Sequence, residues 1–337
     1  MSLNNTKNLL PWSEKYRPES ISSIIYHEKI TKTIVNYMEL NKLPHLLFYG
    51  PPGTGKTSCM VAIAKHFYGD DYDNMVMIFN ASAERGIETV RKEIKQFATT
   101  VGIAENKLTP PFKLIILDEI DAMTDDAQAI LRKVVEKYVN NVRFCFICNY
   151  LKKINPAIQS RCIIFRFSPI PKIYLQIFIN NVCKKENIKI QSNAIDLIIE
   201  KTNGDMRKLL NIMQSAYMYV ESKDKLITEH DISKILSCPT TLDIQLILTT
   251  IQTNNLKFSQ NLLYDVINQK GFSLVELITQ IYTCLMDRII NNNTTVINYD
   301  INKTIEIIKN LCIVYENLTY CNNDYIQTIS FISVFYI

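Results

Sequence analysis

The sequence has little net charge, no long apolar run and no metal-ligand spacing. Across 337 residues Lys plus Arg outnumber Asp plus Glu by 37 to 33, an excess of +4. That is too mild to hold a nucleic acid through bulk charge, so any such partner needs a local basic patch. No stretch reaches the roughly 18 apolar residues of a membrane span. The nearest, 325–337, is short and is interrupted by Gln327, Thr328, Ser330 and Ser333, which reads as a buried last helix. The chain opens on a polar, Asn-rich stretch rather than on a basic segment followed by an apolar one, which argues against secretion. His27, His45, His66 and His230 form no ligand pair, and Cys145-Phe146-Ile147-Cys148 has no second C-x-x-C to complete a zinc site. The nine cysteines are scattered among apolar neighbours, which reads as reduced thiols in a cytosolic or nuclear compartment. No internal repeat of fixed period is present.

What the chain does have is enough apolar sequence, 47%, to build full cores, and a length that calls for two or three domains. Its first half alternates short apolar β-rich runs, over 45–49, 75–80, 113–117, 143–148 and 162–167, with helical patterns over 56–68, 87–97 and 127–137. That alternation predicts an α/β unit with a parallel sheet covered on both faces. Pro169 and Pro171 break the pattern, after which helices dominate: one over 174–185, one over 194–201 with Ser192 as N-cap and Gly204 past its end, and one over 207–220. A second boundary falls near Cys238-Pro239. Long Ile/Leu-rich helices follow, broken by Gly271 and by an Asn-rich loop over 291–295. The expected division is 1–168, 169–238 and 239–337.

The strongest chemical signal is Gly50-Pro51-Pro52-Gly53-Thr54-Gly55-Lys56-Thr57, which fits G-x-x-x-x-G-K-[ST] and stands between an apolar strand and a helix. A loop of this kind wraps phosphates with backbone N–H groups, Lys56 reaches the terminal phosphates, and the Thr57 hydroxyl ligates Mg²⁺. Further on, an apolar strand ends in Asp118-Glu119. Asp118 would hold the metal, and Glu119 would orient and deprotonate a water. Asp121 reads as a surface or capping acid.

Asn149 ends the strand over 143–148, where its amide would hold the attacking water or the γ-phosphate, or else serve a turn. Arg161 stands at a strand entrance with a fork suited to phosphate oxygens, and by spacing alone an ordinary salt bridge fits as well.

These residues resemble those of AAA+ ATPases, and more narrowly the small subunits of replication factor C, the eukaryotic sliding-clamp loader. The resemblance runs from about Asn8 to Ser215. It is carried by 11–18 (PWSEKYRP), the phosphate loop, Asn80-Ala81-Ser82 with Arg85-Gly86, Asp118-Glu119, Asn149, Ser160-Arg161-Cys162 and Gly204-Asp205-Met206-Arg207. It implies an AAA+ parallel-sheet domain, a helical lid and an all-α collar that assembles a hetero-pentamer. ATP and Mg²⁺ are then the cofactors, and the nucleus the location. Asn149 matches sensor 1, Arg207 matches sensor 2, and Arg161 matches a finger that completes a neighbour's site.

By the same resemblance Ser13, Arg17 and Ser58 join 50–57 around the nucleotide, although Ser13 stands where the family usually has an apolar residue. Arg85, Arg91 and Lys153 match positions that track DNA backbone. The sliding clamp and primer–template DNA follow as partners, with no membrane. Two rivals share the same loop: another AAA+ DNA motor of the branch-migration type, and a scaffold that binds ATP without turning it over.

Overall fold

A computed structural model describes residues 10–82, 87–99, 109–219, 226–253, 255–291, 300–318, 320 and 323–336. Two compact units divide the chain, residues 1–226 and 227–337. In the first, strands β1 (His45–Tyr49), β2 (Val76–Asn80), β3 (Lys113–Asp118), β4 (Val142–Cys148) and β5 (Cys162–Arg166) form one sheet in the order β2-β3-β4-β1-β5. Every neighbouring pair is parallel.

The strands are continuous apolar runs because both faces are covered. Successive side chains point to opposite sides. Leu46, Phe48, Leu114, Ile116, Cys145 and Ile147 therefore enter one core, with residues of helices α1 (Glu28–Glu39) and α2 (Lys56–Tyr68). Leu47, Ile115, Leu117, Phe144, Phe146 and Cys148 enter the other, with α3 (Ile87–Thr99) and α4 (Asp125–Lys137). Cys145 and Cys148 thus face opposite sides of the sheet and cannot share an ion. The described cysteines are free thiols, and burial pushes Cys59 up to about 11, far from a reactive thiolate.

Beyond the two prolines come α5 (Lys172–Glu186), α6 (Ser192–Thr202) and α7 (Met206–Tyr219). Ser192 does not cap α6. It is the helix's first residue, and Gln191 stands in the cap position without a side-chain bond. The left-handed turn after α6 takes both Asn203 and Gly204, φ 49° and 83°. A side chain at Gly204 would come 2.8 Å from the Ile170 nitrogen.

The second unit holds α8 (Glu229–Leu236), α9 (Thr241–Thr253), α10 (Leu256–Lys270), α11 (Leu274–Asn291), α12 (Ile301–Asn317) and α13 (Asp324–Ser333). Its own core centres on Leu248, Leu277, Ile281, Leu285, Leu311 and Phe331. Thr228 and Asp231 form a reciprocal capping box at α8, and Gly271 takes the left-handed cap of α10 at φ 66°. Helix α8, inside the segment 169–238 by sequence, falls in this second unit. Of the expected Asn-rich loop 291–295, residues 292–295 lie outside the described residues. Among those residues no helix is long and apolar enough to cross a membrane.

Phe146 is fully buried at the sheet centre and stacks on Phe144 at 5.8 Å. Phe146→Ala should cost about 3–5 kcal/mol. Urea denaturation of the full chain checks this, and a loss below about 1 kcal/mol would contradict the central place of β4.

Candidate active site

The site lies where the carboxyl ends of β1, β3 and β4 meet. The chain leaves β1 through the Gly-rich loop and enters α2 at Lys56, so the loop's backbone N–H groups and the first-turn N–H groups of α2 face outward unpaired by the helix. Lys56 is 7% exposed. Its Nζ donates to Gly50 O (2.7 Å), Pro51 O (2.8 Å) and Asn149 Oδ1 (3.0 Å). Burial pulls its pKa below the ordinary lysine value, while Asp118, Asp121 and Asp205 act to raise it. All three hydrogen-bond partners are neutral oxygens, which leaves the ammonium suited to an anion.

Thr57 Oγ1 donates to Asp118 Oδ2 at 2.5 Å. The other Asp118 oxygen accepts the Glu119 N–H at 2.9 Å, and Glu119 has a left-handed backbone, φ 57°. An extended strand can therefore turn sharply after Asp118 and leave the Glu119 carboxylate exposed. Asp121 Oδ2 accepts the backbone N–H groups of Asn149 and Tyr150, both at 3.2 Å. It is a capping acid that anchors the end of β4, and with it the Asn149 amide.

A cavity opens over this edge. Pro52, Gly53, Thr54, Gly55, Lys56, Thr57, Ser58, Asp118, Glu119 and Asn149 line it on the sheet side, and Ser13, Arg17, Tyr26, His27, Met206, Arg207 and Leu210 line the rest. Gly50 and Pro51 take part through their carbonyls, on Lys56. Arg17 pairs with Glu14 at 3.3 Å. The N-terminal segment is held by Trp12, whose backbone N–H donates to Gln214 Oε1 on α7 at 2.9 Å.

Arg161 is not among the lining residues. Its guanidinium pairs with Glu136 on α4 at 2.5 Å and donates to Ala157 O at 2.6 Å, so within the chain the ordinary salt bridge is the one formed. Lys153 is exposed, with its ammonium 5.3 Å from the Tyr150 ring centre. Arg85 lies outside the described residues, and Arg91 is described only as part of α3.

Sequence reasoning gave His27 and Asp205 no part in the site. His27 has a left-handed backbone, and its ring lies between Tyr26 (4.5 Å) and Phe167 (4.6 Å). Nothing local in the sequence marks it. Asp205, directly before a helix, carries the usual signal of an N-cap residue.

Burial holds the imidazoles of His27 and His45 down at about 4, with Arg143 adding to the effect at His45. In the folded chain both stay neutral to that pH, whereas the unfolded chain binds these protons near 6.5. Their contribution is therefore present above pH 6.5 and is lost as pH falls toward 4. The urea midpoint should drop across that window and drop less in His45→Gln. An equal drop in both proteins would contradict this.

Residues 46–170 match the family of ATPases associated with various cellular activities, AAA, and residues 175–234 match the RFC1-like AAA+ ATPase lid domain. The chain is 48% identical over 269 residues to the probable replication factor C subunit 5 of Dictyostelium discoideum, covering 80% of this chain and 76% of that one. It is 43% identical over 291 residues to replication factor C subunit 3 of Saccharomyces cerevisiae, 86% and 84% covered. Against replication factor C subunit 5 of Mus musculus the figures are 41% over 274 residues, with 81% and 78% covered. A solved structure of the Thermotoga maritima RuvB Holliday junction branch migration motor superposes with a TM-score of 0.52 at 16% identity, covering 79% of this chain and 91% of that one, a likeness of fold. With its phosphate loop, lid and these relatives, the chain belongs to the replication factor C subunit family, among the members named subunit 5 or subunit 3, and is an ATP-hydrolysing AAA+ enzyme.

Proposed function

We propose that this chain is one ATPase subunit of a nuclear, hetero-pentameric clamp loader that opens a sliding clamp and places it on primer–template DNA. The observation that carries the reading is the cluster at the strand ends, Lys56 on Asn149 and Thr57 on Asp118, in a chain 41–48% identical to replication factor C subunits. The division of labour follows the segments: nucleotide chemistry to about residue 168, a lid to about 238, and a helical collar for assembly beyond.

In the reaction Lys56 exchanges its neutral acceptors for phosphate oxygens. Thr57 and Asp118 would hold Mg²⁺, which neutralises charge between the β- and γ-phosphates when bound. No group of three or more His, Cys, Asp or Glu gathers as a metal centre among the described residues. Glu119 takes the proton of the attacking water, Asn149 orients that water or the γ-phosphate, and Arg207 contacts the γ-phosphate from α7. Arg161 serves the neighbouring subunit. Its pair with Glu136 is more than a third exposed on both sides, so releasing it costs little.

Lys56→Ala in the assembled complex should abolish clamp loading, and Glu119→Gln should keep ATP binding while cutting hydrolysis about 10²-fold or more. Wild-type loading by the Lys56 variant would overturn the proposal, as would a native mass of six equal chains rather than five different ones. Lys153→Ala should weaken DNA binding about equally for all sequences and lower the salt slope of the affinity by roughly one. An unchanged slope removes Lys153 from the DNA path.

A further inference from the structure

One carboxylate joins the phosphate loop to the start of α7. Asp205 precedes the helix, and its Oδ1 accepts the backbone N–H groups of Arg207 at 2.9 Å and Lys208 at 3.1 Å. This is the bonding of an N-cap residue, which satisfies donors the helix itself leaves unpaired. Between them, the Met206 N–H donates across to the carbonyl of Gly53 in the phosphate loop at 3.1 Å.

Gly53 stands at φ 68°, and a Cβ there would lie 1.7 Å from Asp205 Oδ1. The carboxylate therefore rests directly against the loop's backbone, in space that only glycine leaves open. On the other side, Gly204 is pressed against Pro169 and Ile170. Gly53 and Arg207 line the same cavity. The first turn of α7 is thus gripped by the linker behind it and the phosphate loop in front. Arg207 is two residues beyond the carboxylate that makes the second grip.

We propose that Asp205 is a positioning residue that couples the conformation of the phosphate loop to the placement of the Arg207 guanidinium. This rests on the reading of Arg207 as the residue that contacts the γ-phosphate. When the loop closes on phosphates, Gly53 carries Asp205 and the Met206 N–H with it, and the first turn of α7 follows as a unit. Without the carboxylate that turn loses two of its bonds and its packing on Gly53, and Arg207 is no longer held toward the nucleotide. A ligand with a γ-phosphate should feel the loss, and one without it should not.

The test is the ratio of affinities of the full chain for mant-AMPPNP and mant-ADP, with Mg²⁺, alongside a thermal melt of each variant. Asp205→Ala should lower the ratio by roughly five-fold or more, the lower end of ordinary coupling between sites, with ADP affinity close to wild type. Asp205→Asn, which keeps an acceptor oxygen and the shape, should restore it. Asp205→Ser keeps a capping oxygen but is too short to pack on Gly53. It should lower the ratio with little change in melting temperature, which keeps the test open where Asp205→Ala does not fold. In an Arg207→Ala background, Asp205→Ala should lower the ratio no further.

A lowered melting temperature with an unchanged ratio, or an equal loss with and without Arg207, would overturn the coupling. If Arg207→Ala by itself leaves the ratio unchanged, the sensing role of Arg207 fails, and the coupling with it.

Discussion

Lys56 Nζ donates to Asn149 Oδ1 across 93 positions of the chain, and this bond forms because β4 lies beside β1 in the sheet. The register pairs Tyr49 with Cys148, so the two residues that follow, Gly50 and Asn149, leave the sheet level with each other. On the far side of β4, Leu117 pairs with Phe146, which brings Asp118 to the same edge and within reach of Thr57. Had β5 lain between β1 and β4, the same motifs would exist without a shared site. An open parallel sheet places its ligand crevice outside the carboxyl ends of its strands, and here three of those ends supply the chemistry.

Burial makes this arrangement demanding. A lysine with little exposure is costly to keep charged, and the three carboxylates around it offset part of that cost. Their own positions are fixed by separate bonds: Asp118 by Thr57 and the Glu119 N–H, Asp121 by the end of β4, Asp205 by the first turn of α7. None of them forms an ion pair with Lys56, whose ammonium keeps three neutral acceptors instead.

The other wall of the cavity depends on contacts between the N-terminal segment and the helices after the sheet. Trp12 is nearly fully buried against Tyr217, 5.5 Å between ring centres, and its backbone N–H donates to Gln214. Lys15 pairs with Glu186 at 2.5 Å, and the Tyr16 hydroxyl donates to the same carboxylate. Burial opposes the charge on Glu186, but these two donors outweigh it and lower its pKa. Tyr16 is pushed upward, by burial first and by Glu186 second, and stays a donor. The segment therefore straps α5 and α7 while presenting Ser13 and Arg17 to the cavity, and so links the wall of the site to the helix that carries Arg207.

Much of this was legible residue by residue. The phosphate loop could be read because its chemistry lies in eight consecutive positions, and the strands because burial on both faces leaves an unbroken apolar run. Met75 and Phe167 were small exceptions, since Met75 closes the helical turn Tyr72–Met75 before β2 and β5 ends at Arg166. The cap of α6 was misread because Ser192 carries the right side chain one residue too late. What no local pattern carried was strand order, the Glu136 partner of Arg161, the ring packing of His27, and the seat of Asp205 on Gly53. The sequence by itself determined the Gly-rich loop, the strands and the polar residues that follow them, because spacing and periodicity act between near neighbours. Only the tertiary structure decided which of those groups meet and which side chains hold them there, because residues brought together from distant positions leave no common mark along the chain.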